Sequence, residues 1–144
     1  MGKKIRSVAT AAIISAATIY MNTAQAADQI RIVIDQQPSV VVDMLDNPAS
    51  QDFISMLPMQ VTFEDFARTE KITYLPRRLN TDNSPTPAQA SGDFTYYAPW
   101  GNIAVFYKGL GHDSRLFVLG KIASGKEVLA QMNGDFSARI EKVE

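Results

Sequence analysis

The sequence predicts a mainly β protein: a closed, mostly antiparallel β-barrel with two short helices, built from residues 27–144. Three observations carry that reading. Roughly seven or eight segments read as strands, those at 30–34, 59–66 and 136–141 by the period-two alternation of half-buried strands. Only two segments carry helix start and stop signals, and both are short. No strand–helix–strand rhythm appears, so a parallel sheet is excluded and the strands must close on one another.

The elements follow in order. Ile30, Ile32 and Ile34 lie on one side of a first strand, with Arg31 on the other. Gln36-Gln37-Pro38-Ser39 makes a turn into a second strand, Val40 to Leu45, completing an opening hairpin. Asn47 is a good N-cap and Pro48 suits the first helical position, so a helix starts there. Phe53, Ile54 and Leu57 would bury one face of it, and Pro58 stops it. Met59 to Phe66 alternates again, with Val61 and Phe63 inward, and Ile72 and Tyr74 belong to the next strand. The Pro- and Asn-rich stretch from Asn80 to Gly92 reads as a loop and as the chain's candidate lid. Asp93 to Ala98 and Asn102 to Tyr107 are strands around a Pro99-Trp100-Gly101 turn, and Leu116 to Ile122 is another. Ser124-Gly125-Lys126-Glu127 has the spacing of a capping box, in which Ser and Glu side chains each satisfy a backbone N–H at the helix start. Val128, Leu129 and Met132 give that helix its buried face, and Asn133-Gly134 ends it. Phe136, Ala138 and Ile140 mark the last strand.

The first 26 residues read as an address. Lys3, Lys4 and Arg6 form a positive start, Val8 to Met21 is an uncharged and mostly apolar run, and Ala24-Gln25-Ala26 offers a small-x-small cleavage site. The apolar run is shorter than the ~20 residues of a spanning helix. The expectation is a signal peptide over residues 1–26, cleavage after Ala26, no stable membrane anchor afterwards, and a periplasmic or secreted domain at 27–144. Cleavage removes three basic residues and no acidic one, making the domain more acidic than the whole chain's formal −1.

Composition excludes much chemistry. The absence of cysteine rules out disulfides, thiolate metal sites and thiol nucleophiles, and a single histidine rules out multi-histidine metal sites. A near-neutral charge gives no case for nucleic acid as a partner. No cofactor or metal is expected, and the partner expected is a peptide or small molecule.

Several motifs come close to known chemistry and miss. Gly120 to Glu127 is one residue short of a phosphate-binding loop, because Glu127 stands where Ser or Thr would hold magnesium. Asn80 to Ser84 begins like a calcium loop, but Pro85 replaces the required Gly. His112-Asp113-Ser114 has the letters of a triad in the wrong geometry. Glu64, Asp65 and Glu70 read as solvated strand edges. The stronger candidates are Arg77, a fork of fixed donors, and Tyr97, Trp100 and Phe106, an apolar wall for a ring. His112 joins them as a residue able to line a cleft at the barrel mouth.

Five blocks in order, "LPMQVTFEDF" (57–66), "TEKITYLPRRL" (69–79), "GDFTYYAPWGNIAVFYKG" (92–109), "LGKIASG" (119–125) and "NGDFSARIE" (133–141), resemble the compact cyclophilin-like proteins of bacteria and archaea. The resemblance implies a cyclophilin-like β-barrel with two helices. It also nominates peptidyl-prolyl cis–trans isomerisation, in which an Arg bonds the imide nitrogen while an apolar pocket holds the proline ring; Arg77 would be that donor and Phe106, Tyr97 and Trp100 the pocket. The amide barrier of about 18–20 kcal/mol is what such an enzyme lowers. Gly92-Asp93-Phe94-Thr95 echoes one motif of true cyclophilins, yet residues 84–91 before it supply none of their catalytic side chains. The reading adopted is non-catalytic binding of a peptide segment or small ligand at the barrel surface, with isomerase activity as the alternative.

Overall fold

The computed structural model describes Gly2, residues 28–109 and residues 112–144. The leader expected at residues 1–26 lies outside the described residues, Gly2 apart. The chain folds as β1 (Gln29–Val33), β2 (Val40–Met44), α1 (Pro48–Ile54), β3 (Met59–Phe66), β4 (Glu70–Tyr74), β5 (Asp93–Tyr97), β6 (Asn102–Phe106), β7 (Leu116–Ser124), α2 (Lys126–Gln131) and β8 (Phe136–Lys142). The strands close into a barrel in the order β1-β2-β7-β5-β6-β4-β3-β8, every neighbouring pair antiparallel. Closure gives every strand a neighbour on both sides, which limits the edge a β-rich chain offers for edge-to-edge pairing.

Alternation places the core. Ile30 and Ile32 of β1, Val40 and Val42 of β2, Val61 and Phe63 of β3, and Ala138 and Ile140 of β8 all turn inward. Phe63 stacks on Phe136 across the β3–β8 junction, with ring centroids 5.4 Å apart. The helix α1 adds Ala49 and Phe53 to the same core, Phe53 meeting Phe94 edge-on at 5.3 Å, and α2 adds Val128 and Leu129. The strands β4, β5 and β6 also carry buried residues on their outer side. Ile72, Ala104, Phe106 and Leu116 form a separate apolar cluster there, with Tyr97 packed against it. That second layer positions the site described below.

Local signals at α1 behave as the residues dictate, with one difference at its end. Asn47 accepts a hydrogen bond from Ser50 N–H, and Pro48 occupies the first turn. The helix ends at Ile54, and Met56 and Leu57 N–H groups then bond Phe53 and Ile54 carbonyls in tighter turns. Leu57 therefore lies beyond the helix, and it and Ile54 are only partly buried.

The capping box expected at Ser124 does not form. Ser124 is still in β7, paired with Val41, and Gly125 is the N-cap with no side-chain cap bond. The helix begins one residue later than the box requires, so neither Ser124 nor Glu127 occupies its capping position. Gly125 is needed there because its φ is +90°, and a Cβ would sit 3.0 Å from the Ser39 carbonyl oxygen. Gly120 is likewise structural: a Cβ would meet the Asp43 carbonyl oxygen at 2.6 Å, where β2 and β7 approach.

The loop expected as a lid is fastened down. Ser84 Oγ accepts from Ala49 N–H at 3.0 Å. Gln89 is buried, donating to the Pro87 and Asp113 carbonyls and accepting from Asp113 N–H.

Candidate functional site

One face of the sheet and three flanking segments frame a cavity of about 300 Å³ on the outer side of the barrel. The sheet β4-β6-β5-β7 supplies Glu70, Asn102, Phe106, Tyr97 and Leu116. The end of β3 supplies Phe66, and the β3–β4 turn supplies Ala67 and Thr69. Trp100 comes from the β5–β6 turn, and Asp113 from the segment before β7.

Each segment is held by identifiable forces. The β3–β4 hairpin turns on Ala67 and Arg68, with φ of 54° and 55°, closed by Thr69 N–H to the Phe66 carbonyl. Left-handed backbone at two successive residues suits the right-handed twist of a hairpin but costs about 1–2 kcal/mol per L-residue. The turn projects Phe66 over the cavity, where its ring meets Trp100 edge-on at 5.5 Å. The β5–β6 turn has Pro99 at its first central position and Gly101, φ +65°, at its end. Gly101 N–H bonds the Tyr97 carbonyl at 2.9 Å, and Arg78 Nη1 donates to the Ala98 carbonyl at 2.6 Å. Trp100 is thereby set edge-on to Tyr97 at 5.4 Å, and Arg115 lies over the other ring of that pair, Tyr97, at 5.4 Å. Edge-to-face rings at such distances attract by about 0.5–1.5 kcal/mol beyond their buried area. Trp100 is nonetheless 48% exposed and Phe66 40%, leaving an aromatic rim open to solvent.

The polar groups of the wall are unusual. Burial, helped by the Asp65 charge, pushes the Glu70 carboxyl up to about 7. Asp65 itself behaves oppositely: burial would raise it, but hydrogen bonds from Tyr107 and Lys71 outweigh that and hold it below its usual range. Lys71 is almost wholly buried, with Nζ 2.9 Å from Asp65 and 2.7 Å from the Met132 carbonyl. Asp65 itself reaches the surface, so removing its carboxylate would leave the buried ammonium with the Met132 carbonyl alone. Asp113 is held low by Arg115, which donates to both its carboxylate oxygens. Asn102 is buried with Nδ2 and Oδ1 both unpartnered among the described residues. Each such group costs on the order of 1–3 kcal/mol. Among the described residues no group of three or more His, Asp or Glu side chains is placed to hold a metal ion.

Of the residues singled out in the sequence, Tyr97, Trp100 and Phe106 converge on this cavity. Arg77 and His112 do not. Arg77 is tied to α1, donating from Nη1 and Nη2 to both oxygens of Asp52 at 2.8 Å, and that bond holds Asp52 down at about 2. His112 is exposed and its Nε2 pairs with the Thr86 carbonyl at 2.9 Å, while its neighbour Asp113 reaches the cavity. Glu70 was expected as a solvated edge and instead is half-buried in the wall. Phe66, Asn102 and Leu116 complete the site without having been marked by the sequence. The parity of β3 offered one signal, since Phe66 falls out of phase with the inward Val61 and Phe63.

The sequence model of the cyclophilin-like family matches residues 32–141 of the chain. A search of curated proteins finds no match. Among solved structures, the solution structure of a hypothetical protein from Archaeoglobus fulgidus aligns with a TM-score of 0.67 at 16% identity, covering 85% of this chain and 100% of that one. At that identity the likeness speaks for the fold alone.

Proposed function

The chain belongs to the cyclophilin-like family, and from that premise and the cavity on the barrel's outer face we propose a non-catalytic role: binding of a small ligand or peptide segment at the barrel surface. The supporting observation is that Phe66, Tyr97, Trp100 and Phe106 meet on one concave surface of about 300 Å³. Soluble domains keep exposed aromatic clusters of this kind mainly where something docks. A ring burying about 150 Å² there gains roughly 4 kcal/mol at 25 cal/mol/Å², so single-ring probes belong in the millimolar range. Trp100 is the single tryptophan, and its signals report the site directly. Titration with single-ring probes is expected to move the Trp100 indole resonance saturably, and Leu116→Lys to abolish the movement. A flat response from wild type to every aromatic probe would remove the reading.

The alternative, peptidyl-prolyl isomerisation, needs a donor aimed at the imide nitrogen. Arg77 is spoken for by Asp52 and lies outside the cavity, and no arginine lines it. A protease-coupled assay on an X-Pro peptide is expected to show no acceleration; acceleration above the uncatalysed rate reverses the choice.

The role is placed outside the cytoplasm on the strength of residues 1–26, whose charged start, apolar run and Ala24-Gln25-Ala26 fit export. Expression of the full chain in a bacterium followed by N-terminal sequencing should find a periplasmic species beginning at Ala27. An intact cytoplasmic chain would count against it.

A further inference from the structure

Asn102 opens β6 and stands opposite Tyr97 on one side and Tyr74 on the other. It shares its outward phase with Ala104 and Phe106, is 1% exposed, and lines the cavity. Among the described residues neither end of its carboxamide has a hydrogen-bond partner. Buried polar groups are otherwise almost always bonded, and an orphaned one facing an apolar cavity is the kind of group that fixes a ligand's orientation. Resting on the binding reading above, we propose that the cavity selects neutral ligands bearing an N–H donor beside a C=O acceptor, a primary amide or cyclic imide. That edge pairs with Asn102 through two parallel hydrogen bonds while the ligand's carbon skeleton lies against Tyr97, Trp100 and Phe106.

The choice of chemistry follows from the donor and acceptor inventory. A carboxamide presents one acceptor oxygen and two donor hydrogens, so only a partner with both functions satisfies both of its ends. Either orientation of the Asn102 amide serves, because exchanging its nitrogen and oxygen merely turns the ligand over. Charged groups are poorer partners. A carboxylate only accepts, so it would leave the Asn102 carboxamide oxygen unpaired. An ammonium only donates, so it would leave the Asn102 carboxamide nitrogen unpaired. An X-Pro amide is also a poor partner, since its nitrogen carries no hydrogen and the Asn102 oxygen would stay unpaired.

The test uses two probes of nearly equal shape, benzamide and acetophenone, which differ in an NH2 group against a CH3 group. Affinity is read from the Trp100 indole resonance of the domain. Benzamide is expected to bind wild type at least tenfold more tightly. In Asn102→Leu the preference should vanish, and Tm should rise because no buried amide is left unpaired. Equal affinity of the two probes for wild type would overturn the amide inference and leave the binding reading standing. Failure of both probes to bind would overturn both. A benzamide preference that survives in a folded Asn102→Leu protein would also overturn the inference. Glutarimide and a capped glutamine peptide, titrated side by side, then tell a small cyclic ligand from a peptide side chain: a clear preference for either one assigns the source.

Discussion

Burial first, and the Asp65 charge second, push the Glu70 carboxyl up to about 7 from an ordinary value of 4.5. The sign of the consequence is fixed by linkage. Between those two values the folded protein holds a proton that the unfolded chain has released, so stability falls as pH rises through that window. Glu70→Gln is therefore expected to raise Tm at pH 8 and to change it little at pH 4; equal shifts at both pH values would contradict a protonated wall. That Tyr97, Trp100 and Phe106 form one apolar wall was legible because they lie on two strands and the tight turn that joins them. Glu70 and Asn102 were not, because whether a polar side chain is solvated or stranded depends on which other segments lie over it. Arg77 was misplaced for a related reason: its fork suits any carboxylate, and the one that claims it, Asp52, lies on α1, 25 residues earlier.

At the scale of elements, the junction of β7 and α2 separates two local explanations of one helix start. A capping box would make Ser124 the critical residue, whereas the observed left-handed N-cap makes it Gly125. Ser124→Ala is expected to change stability by less than about 0.5 kcal/mol, as exposed substitutions without a partner do. Gly125→Ala should cost at least ~1 kcal/mol, from the positive φ and from contact with the Ser39 carbonyl. Urea unfolding of the two variants checks the order, and the reverse order would restore the box. The strands were readable from their apolar patterns to within a residue or two, but the last residue of β7 was not. Pairing with Val41 across a bulge carries the strand through Ser124, past the Ile122 at which its own apolar pattern ends.

Across the whole molecule, the barrel is unevenly sealed. The strands β3 and β4 share only the pairs Glu64↔Ile72, Asp65↔Lys71 and Phe66↔Glu70, and the first half of β3 pairs with β8. A groove of about 760 Å³ opens where the two strands part, between Met59 to Thr62 and Thr73 to Pro76. The junction of β5 with β6 and β7, by contrast, is paired along its length and buried on both faces. Peptides covering 59–62 and 74–76 are expected to exchange their amide hydrogens faster than those covering 94–97 and 102–106. Uniform protection around the barrel would show the seam to be as firm as the rest.

Local pattern and composition carried the β-barrel with two short helices, the inward residues of β1, β3 and β8, and the exclusion of thiol chemistry. Those properties live in alternation, caps and composition, which act over a few neighbouring residues. It took long-range packing to bring Phe66, Glu70 and Asn102 into one cavity with Tyr97, Trp100 and Phe106 and to leave Arg77 and His112 outside it. Strand pairings link residues such as Glu70 and Phe106, far apart in the chain, and burial by segments so distant is what strands an amide and holds a proton on a carboxylate.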